Sequence, residues 1–171
     1  MRFIFMTVLG ATLTLTAFAS ARQIENWSYE RLFKEADLVV IATAKATAET
    51  NDSPPDVRWK SDLVGQQTTF AVDAVLKGKA PATSTLTVLH FKLKPGVLTQ
   101  DGPLLVAFRT KGPTIEGGGA KKYKVLLGTP QYLLFLKAAD KGRFVPVSGQ
   151  ADSALSVKEI YPPLPEVMDE K

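Results

Sequence analysis

The chain has 171 residues, and its 21 lysines and arginines against 17 aspartates and glutamates give a net charge of +4 at pH 7. It contains no cysteine and one histidine, which excludes disulfides, thiolate metal sites and a cysteine-linked lipid anchor. The length fits one domain, and so mild a positive charge is not the signature of a nucleic-acid-binding protein.

The first 21 residues have the three parts of a secretory signal peptide. Met1-Arg2 supplies the charged start, residues 3–15 form an apolar segment, and residues 16–21 end in the small-residue pattern of a cleavage site after Ala21. The alternative is an uncleaved membrane anchor, but the apolar segment is shorter than the ~20 residues that a spanning helix needs. We therefore predict a secreted or periplasmic protein that begins at Arg22 and has no transmembrane segment after cleavage.

A short helix is predicted at the start of the mature chain. Asn26 or Ser28 can cap its N-terminus. Four apolar residues follow at the spacing of one helical stripe, namely Tyr29, Leu32, Phe33 and Ala36. So short a helix is not stable alone, and we expect it to dock on a hairpin that lies further along the chain.

Alternating apolar and polar residues predict three longer β-strands, over residues 38–49, 68–76 and 83–94. In the third strand, Leu89 and Phe91 are predicted to point into the core, while His90 and the neighbouring lysines point outward. Shorter runs at 104–109 and 121–127 predict two further strands, with Arg109 on the outer face of the first.

The centre of the predicted fold is the hairpin from Tyr132 to Val147. Residues 132–136 are an unbroken apolar run that is too short for an isolated helix. The turn that follows contains Gly142, which is free to take a positive φ. An apolar run without polar alternation implies burial on both faces, so we predict that Leu134 and Phe135 are core residues under two different covers.

The remaining segments are predicted to be loops. Residues 50–61 form a loop that carries Trp59, and residues 110–122 form a glycine-rich connection. Residues 152–160 fit either a helix or a strand, and the proline-rich end, residues 161–171, predicts an extended tail.

Three short motifs follow the predicted helix in order, at residues 36–41, 70–78 and 132–136, and the second ends in Leu76-Lys77-Gly78. This order resembles secreted bacterial proteins with a netrin-like module, whose well-known relatives are the tissue inhibitors of metalloproteinases. The resemblance implies a small OB-type β-barrel behind an N-terminal helix. Several short strands separated by turns independently favour an all-β barrel over residues 22–160, with an immunoglobulin-like β-sandwich as the alternative.

The inhibitory residue of those relatives has no counterpart here. The tissue inhibitors act through an N-terminal cysteine that reaches the zinc of the target, whereas this mature chain would begin with Arg22 and has no cysteine. The resemblance therefore implies the fold, and a fold by itself implies no activity.

Residues that could carry catalysis are few. His90 is the only histidine, no serine lies in a Gly-x-Ser-x-Gly elbow, and the aspartates lack the spacing of a calcium loop. The glycines at 117–119 lack the Gly-Lys-Ser/Thr ending of a phosphate loop. We therefore predict no catalytic residue, no metal site and no cofactor; a pair of carboxylates that meet in space remains open.

Basic residues and one tryptophan are the candidates for ligand binding. The set is Trp59, Lys92, Lys94, Arg109, Lys111, Lys121 and Lys122. Trp59, between two cationic residues, either stacks on a sugar or aromatic ligand or anchors its loop. OB-type barrels bind oligosaccharides or oligonucleotides on a strand face and its neighbouring loops, whereas surface lysines also keep strand edges soluble.

These patterns favour a secreted, non-enzymatic binding or interaction protein. Its partner would be an envelope protein or an anionic polysaccharide, and the mild charge argues against nucleic acid. Two alternatives stay open, a protease-inhibitor-like protein that acts through loops and an envelope hydrolase with a carboxylate pair.

Overall fold

A computed structural model describes residues 22–79, 81–99, 101–117, 123–126 and 128–160. The elements within these ranges are the helix α1 (Tyr29–Glu35) and the strands β1 (Leu38–Thr50), β2 (Leu63–Lys77), β3 (Thr85–Leu93), β4 (Thr114–Gly117), β5 (Tyr123–Leu126), β6 (Gln131–Ala138), β7 (Phe144–Pro146) and β8 (Val157–Ile160). The predicted leader and the predicted tail lie outside these residues. In the described part of the chain, no helix is long and apolar enough to cross a membrane.

Five strands close into a barrel in the order β1-β2-β3-β7-β6, and β6 pairs back onto β1. The β3–β7 contact is parallel, at Val88 and Phe144, while the other pairs in the barrel are antiparallel. β8 pairs with the first half of β6, at residues 131–134, whereas β7 pairs with its second half, at residues 136–138. The structure is thus a small OB-type barrel with one short helix, as predicted, rather than the alternative sandwich.

The hairpin from β6 to β7 lies at the centre of the core. Leu134 is 0% exposed and packs with the barrel interior, whereas Phe135 is 3% exposed and packs with α1. Gly142 takes a positive φ of 69° in the turn between the two strands. The prediction of two-sided burial is therefore confirmed.

The helix α1 begins at the predicted cap and docks on the predicted hairpin. The Ser28 hydroxyl accepts a hydrogen bond from the Arg31 backbone N–H at 3.2 Å. Leu32 is buried, but Tyr29 and Phe33 are 58% and 44% exposed, so half of the predicted stripe is wrong. A seven-residue helix on a sheet can bury only the row of side chains that faces the sheet, here Leu32 and the adjoining Ala36.

The motifs that suggested the resemblance hold the helix to the barrel. The Lys77 ammonium donates to the carbonyl oxygens of Phe33 and Lys34, at 2.6 and 3.0 Å, and so satisfies the last turn of α1. Gly78 takes a φ of +87° directly against the Asp37 carbonyl oxygen. The Asp37 carboxylate in turn accepts from the Ala138 N–H at 2.9 Å, which ties this junction to β6.

Gly78→Ala should lower the free energy of unfolding by more than a positive φ alone explains. A Cβ at Gly78 would lie 2.3 Å from the Asp37 carbonyl oxygen, whereas a Cβ at Gly96, whose φ is +80°, would meet nothing within 4 Å. We expect Gly96→Ala to cost about 1 kcal/mol and Gly78→Ala at least about 2 kcal/mol, measured by urea unfolding. Equal costs for the two variants would show that the junction tolerates the added methyl group.

The third strand alternates as predicted, but its faces are reversed. His90 was expected to point outward, yet it is 1% exposed and shares the barrel interior with Val88. Leu89 and Phe91 occupy the outer face and are buried as well. Because both faces of this strand are covered, polarity alone could not indicate which one faces the interior.

Residues 104–109 pair with no strand in the described part of the chain, so the prediction of a strand there is wrong. Single hydrogen bonds hold the segment: the Leu104 carbonyl accepts from the Ala154 N–H, and the Val106 N–H donates to the Ser153 hydroxyl, both at 3.0 Å. Arg109 is exposed at its end, as expected. A short 3₁₀ turn at Ser153–Ser156 followed by β8 accounts for the ambiguous region from 152 to 160.

Candidate functional site

The interior of the barrel is filled by aromatic rings. Phe108, from the segment before β4, packs edge-to-face against Phe70, His90 and Tyr132, at ring-centroid distances of 4.8, 4.9 and 5.2 Å. Such edge-to-face contacts are the favoured arrangement of aromatic pairs. The described part of the interior therefore has the character of a packed core, and we look for the site on the outer surface.

A line of polar groups enters the interior at His90. The Thr47 and Thr68 hydroxyls are 2.7 Å apart, and the Thr68 hydroxyl lies 2.8 Å from His90 Nε2. Nδ1 is buried and makes no hydrogen bond of ordinary geometry. Burial lowers the pKa of His90 to about 4, and the backbone of Phe91 only partly opposes this shift. A neutral imidazole that contacts a threonine rather than a carboxylate lacks the partner of a catalytic dyad.

Metal-binding side chains are not gathered in the described ranges. No group of three or more histidine, aspartate or glutamate side chains there is placed to hold a metal ion.

The β1–β2 loop brings Trp59 to the end of β3. Trp59 belongs to a 3₁₀ turn, Val57–Trp59, which the Asp56 carboxylate caps by accepting from the Arg58 N–H at 3.0 Å. The Lys94 N–H donates to the Asp62 carbonyl at 2.8 Å, and the Lys94 ammonium donates to the Ser61 carbonyl. Loop and strand end therefore form one surface, which we call the loop-end surface and define by Trp59, Lys92 and Lys94.

Trp59 is half-buried rather than fully exposed, and its indole N–H is buried without a hydrogen-bond partner. It anchors its loop and leaves only part of the ring for a ligand. Both predicted roles of this side chain are therefore compatible with its position.

Acidic groups offset the cations of the loop-end surface. The Lys92 ammonium lies 2.6 Å from the Glu49 carboxylate, and both side chains are at least partly exposed. Arg58 folds back on Asp56 at 2.5 Å. Exposed pairs of this kind contribute little to stability, but they reduce the attraction for a polyanion.

The other predicted cations lie elsewhere. Arg109 is 4.0 Å from Glu159 on β8, and its backbone N–H donates to the Tyr132 hydroxyl at 2.7 Å. Lys111 is exposed two residues further on. Lys121 and Lys122 lie outside the described residues.

A partly buried ion pair that the sequence did not indicate joins two loops. The Arg143 guanidinium donates to both carboxylate oxygens of Asp52, at 2.6 and 3.0 Å, and to Asp140 at 3.3 Å. Hydrogen bonds from Arg143 lower the pKa of Asp52 to about 2, and the same bonds raise the pKa of Arg143. The two residues are 91 positions apart, Asp52 in a predicted loop and Arg143 at the start of a predicted strand, so no spacing rule could have paired them.

The chain matches no protein-family model, and comparison with curated proteins and with solved structures gives no significant match. The geometry of the loop-end surface and of the Asp52–Arg143 pair therefore carries the functional argument.

Proposed function

We propose that this protein is a secreted, non-enzymatic binding module that recognises a partner protein through the loop-end surface. The observation that carries the proposal is the placement of Trp59, held at the end of β3 by the contacts of Lys94 with residues 61 and 62. Tryptophan in a pre-organised loop is a frequent source of binding energy in protein interfaces.

The charge pattern favours a protein over a polyanion. The cations on and beside the loop-end surface are paired with acidic side chains, Lys92 with Glu49 and Arg58 with Asp56. A mixed pattern of this kind steers and orients a partner that carries complementary charges of both signs. The proposal includes a netrin-like character and export directed by the predicted leader. The barrel and its N-terminal helix support the first, and the sequence of residues 1–21 supports the second.

Photo-crosslinking in cells that produce the full chain tests the proposal. A photoreactive residue at position 60, beside Trp59, should give a discrete crosslinked product, and Trp59→Ala should remove that product. The matched control replaces Lys158, an exposed lysine on β8 beside α1. The same products from positions 60 and 158, or none from position 60, would contradict the proposal.

An anionic glycan is the second candidate, because Lys60 and Lys94 are exposed on the same surface. In that case the protein should bind heparin at low salt, and the double variant Lys92→Glu, Lys94→Glu should bind it much less. Salt should weaken the binding, since the screening length falls to ~8 Å at physiological ionic strength. Retention on heparin that is absent, or unchanged in the double variant, leaves the protein partner as the better assignment.

A further inference from the structure

Part of the outer face of β2 and β3 is covered in this protein. In OB-type barrels, ligands bind on this face between the loop that joins the first two strands and the loop that joins the last two. Here these loops are residues 51–62 and residues 139–143. Leu89 and Phe91 lie on this face but are 8% and 1% exposed.

The first part of the β1–β2 loop provides the cover. We call residues 51–56 the strap. Its main chain lies so close to Gly65 that a Cβ there would be 2.7 Å from the Asp52 carbonyl oxygen. Gly65 pairs with Phe91, so the strap lies over the part of β3 that carries the buried phenylalanine. Pro54 in the strap is buried as well.

Arg143 fastens the strap to the loop on the other side. Its guanidinium binds Asp52 through two parallel hydrogen bonds, at 2.6 and 3.0 Å, which is the geometry in which arginine recognises a carboxylate. Arg143 is only 9% exposed, and its Nε–H is buried with no acceptor. One donor of this guanidinium is therefore left without an acceptor.

We propose that Asp52 occupies Arg143 in place of a carboxylate of the ligand, and that an acidic peptide segment displaces the strap to bind Arg143 and the outer face of β3. The inference rests on the proposed binding function and adds the chemical group that is recognised. Breaking the pair leaves Arg143 with only the longer contact to Asp140, at 3.3 Å, so opening of the strap costs free energy. A partner that supplies a replacement carboxylate offsets this cost.

Binding of a fluorescent hexaglutamate peptide to the purified protein at physiological salt tests this inference. Asp52→Ala should bind the peptide at least about tenfold more tightly than the wild type, because Arg143 is freed. Glu30→Ala is the control, since it removes the same charge from an exposed position on α1, away from the strap. Adding Arg143→Met to Asp52→Ala should abolish the gain.

Equal affinities of the Asp52→Ala and Glu30→Ala variants, or a gain that survives Arg143→Met, would overturn the inference. If Asp52→Ala does not fold, the double variant Asp52→Arg, Arg143→Asp exchanges the two partners and keeps a salt bridge between these positions. This variant has no arginine at position 143 and should bind hexaglutamate more weakly than the wild type.

The two proposals fail separately. A missing crosslink at position 60 removes the proposed function, whereas a crosslink without the peptide result removes only the stand-in role of Asp52.

Discussion

Phe135→Ala should lower the free energy of unfolding by about 3–5 kcal/mol, and Leu134→Ala by about 2–5 kcal/mol. The two adjacent side chains belong to different clusters: Leu134 packs in the barrel interior, and Phe135 packs against Leu32 of α1. Each substitution removes a buried side chain and leaves a cavity. Urea unfolding of the two variants measures both losses.

Leu98→Ala is the matched control for this pair, since Leu98 is 97% exposed. We expect it to change the free energy of unfolding by less than about 0.5 kcal/mol. A urea midpoint that scarcely moves in Phe135→Ala would mean that the helix does not cover the second face of β6. The two-sided core would then be wrong.

Acidification from pH 7 to pH 4 should lower the stability of the protein by about 3 kcal/mol through His90 alone. Burial lowers the pKa of His90 to about 4 from its usual value of 6.5. In the window between these two pKa values the unfolded chain binds a proton that the folded chain does not. The stabilisation is therefore complete above the unfolded pKa and falls as the pH drops towards the folded pKa.

His90→Gln should flatten this pH dependence, because glutamine keeps a hydrogen-bonding side chain beside Thr68 and does not titrate. The comparison is made by urea unfolding of both proteins at several pH values between 7 and 4. Asp52 interferes little, since its own stabilisation is lost mostly below pH 4, between its usual pKa of 3.8 and its lowered pKa of about 2. A pH dependence that is the same in the variant and the wild type would show that His90 is not held neutral.

The strands, the cap of α1 and the hairpin follow from local patterns, and those parts of the fold could be predicted. Ser28 caps the helix, and the apolar run of β6 is buried on both faces, because capping and hydrophobic alternation depend on near neighbours in the chain. The orientation of β3 could not be predicted, because the strap covers the face that carries Phe91. His90 therefore lies in the barrel interior although its side chain is polar.

The candidate site could be predicted only in part. Trp59 and Lys94 lie in one surface because the β1–β2 loop contacts the end of β3, the strand that pairs with β2. The pairing of Asp52 with Arg143 depends on closure of the barrel, which brings together loops that are distant in sequence. Local spacing carries no information on such contacts.

Amide hydrogen exchange along the mature chain tests the central claim most directly, that a rigid barrel carries a displaceable strap. We predict that amides of β6 exchange only through global unfolding, whereas amides of residues 51–56 exchange through a local opening of lower free energy. Asp52→Ala should accelerate exchange in the strap and leave β6 close to its global rate. Strap amides that exchange as slowly as those of β6, in both proteins, would contradict the account.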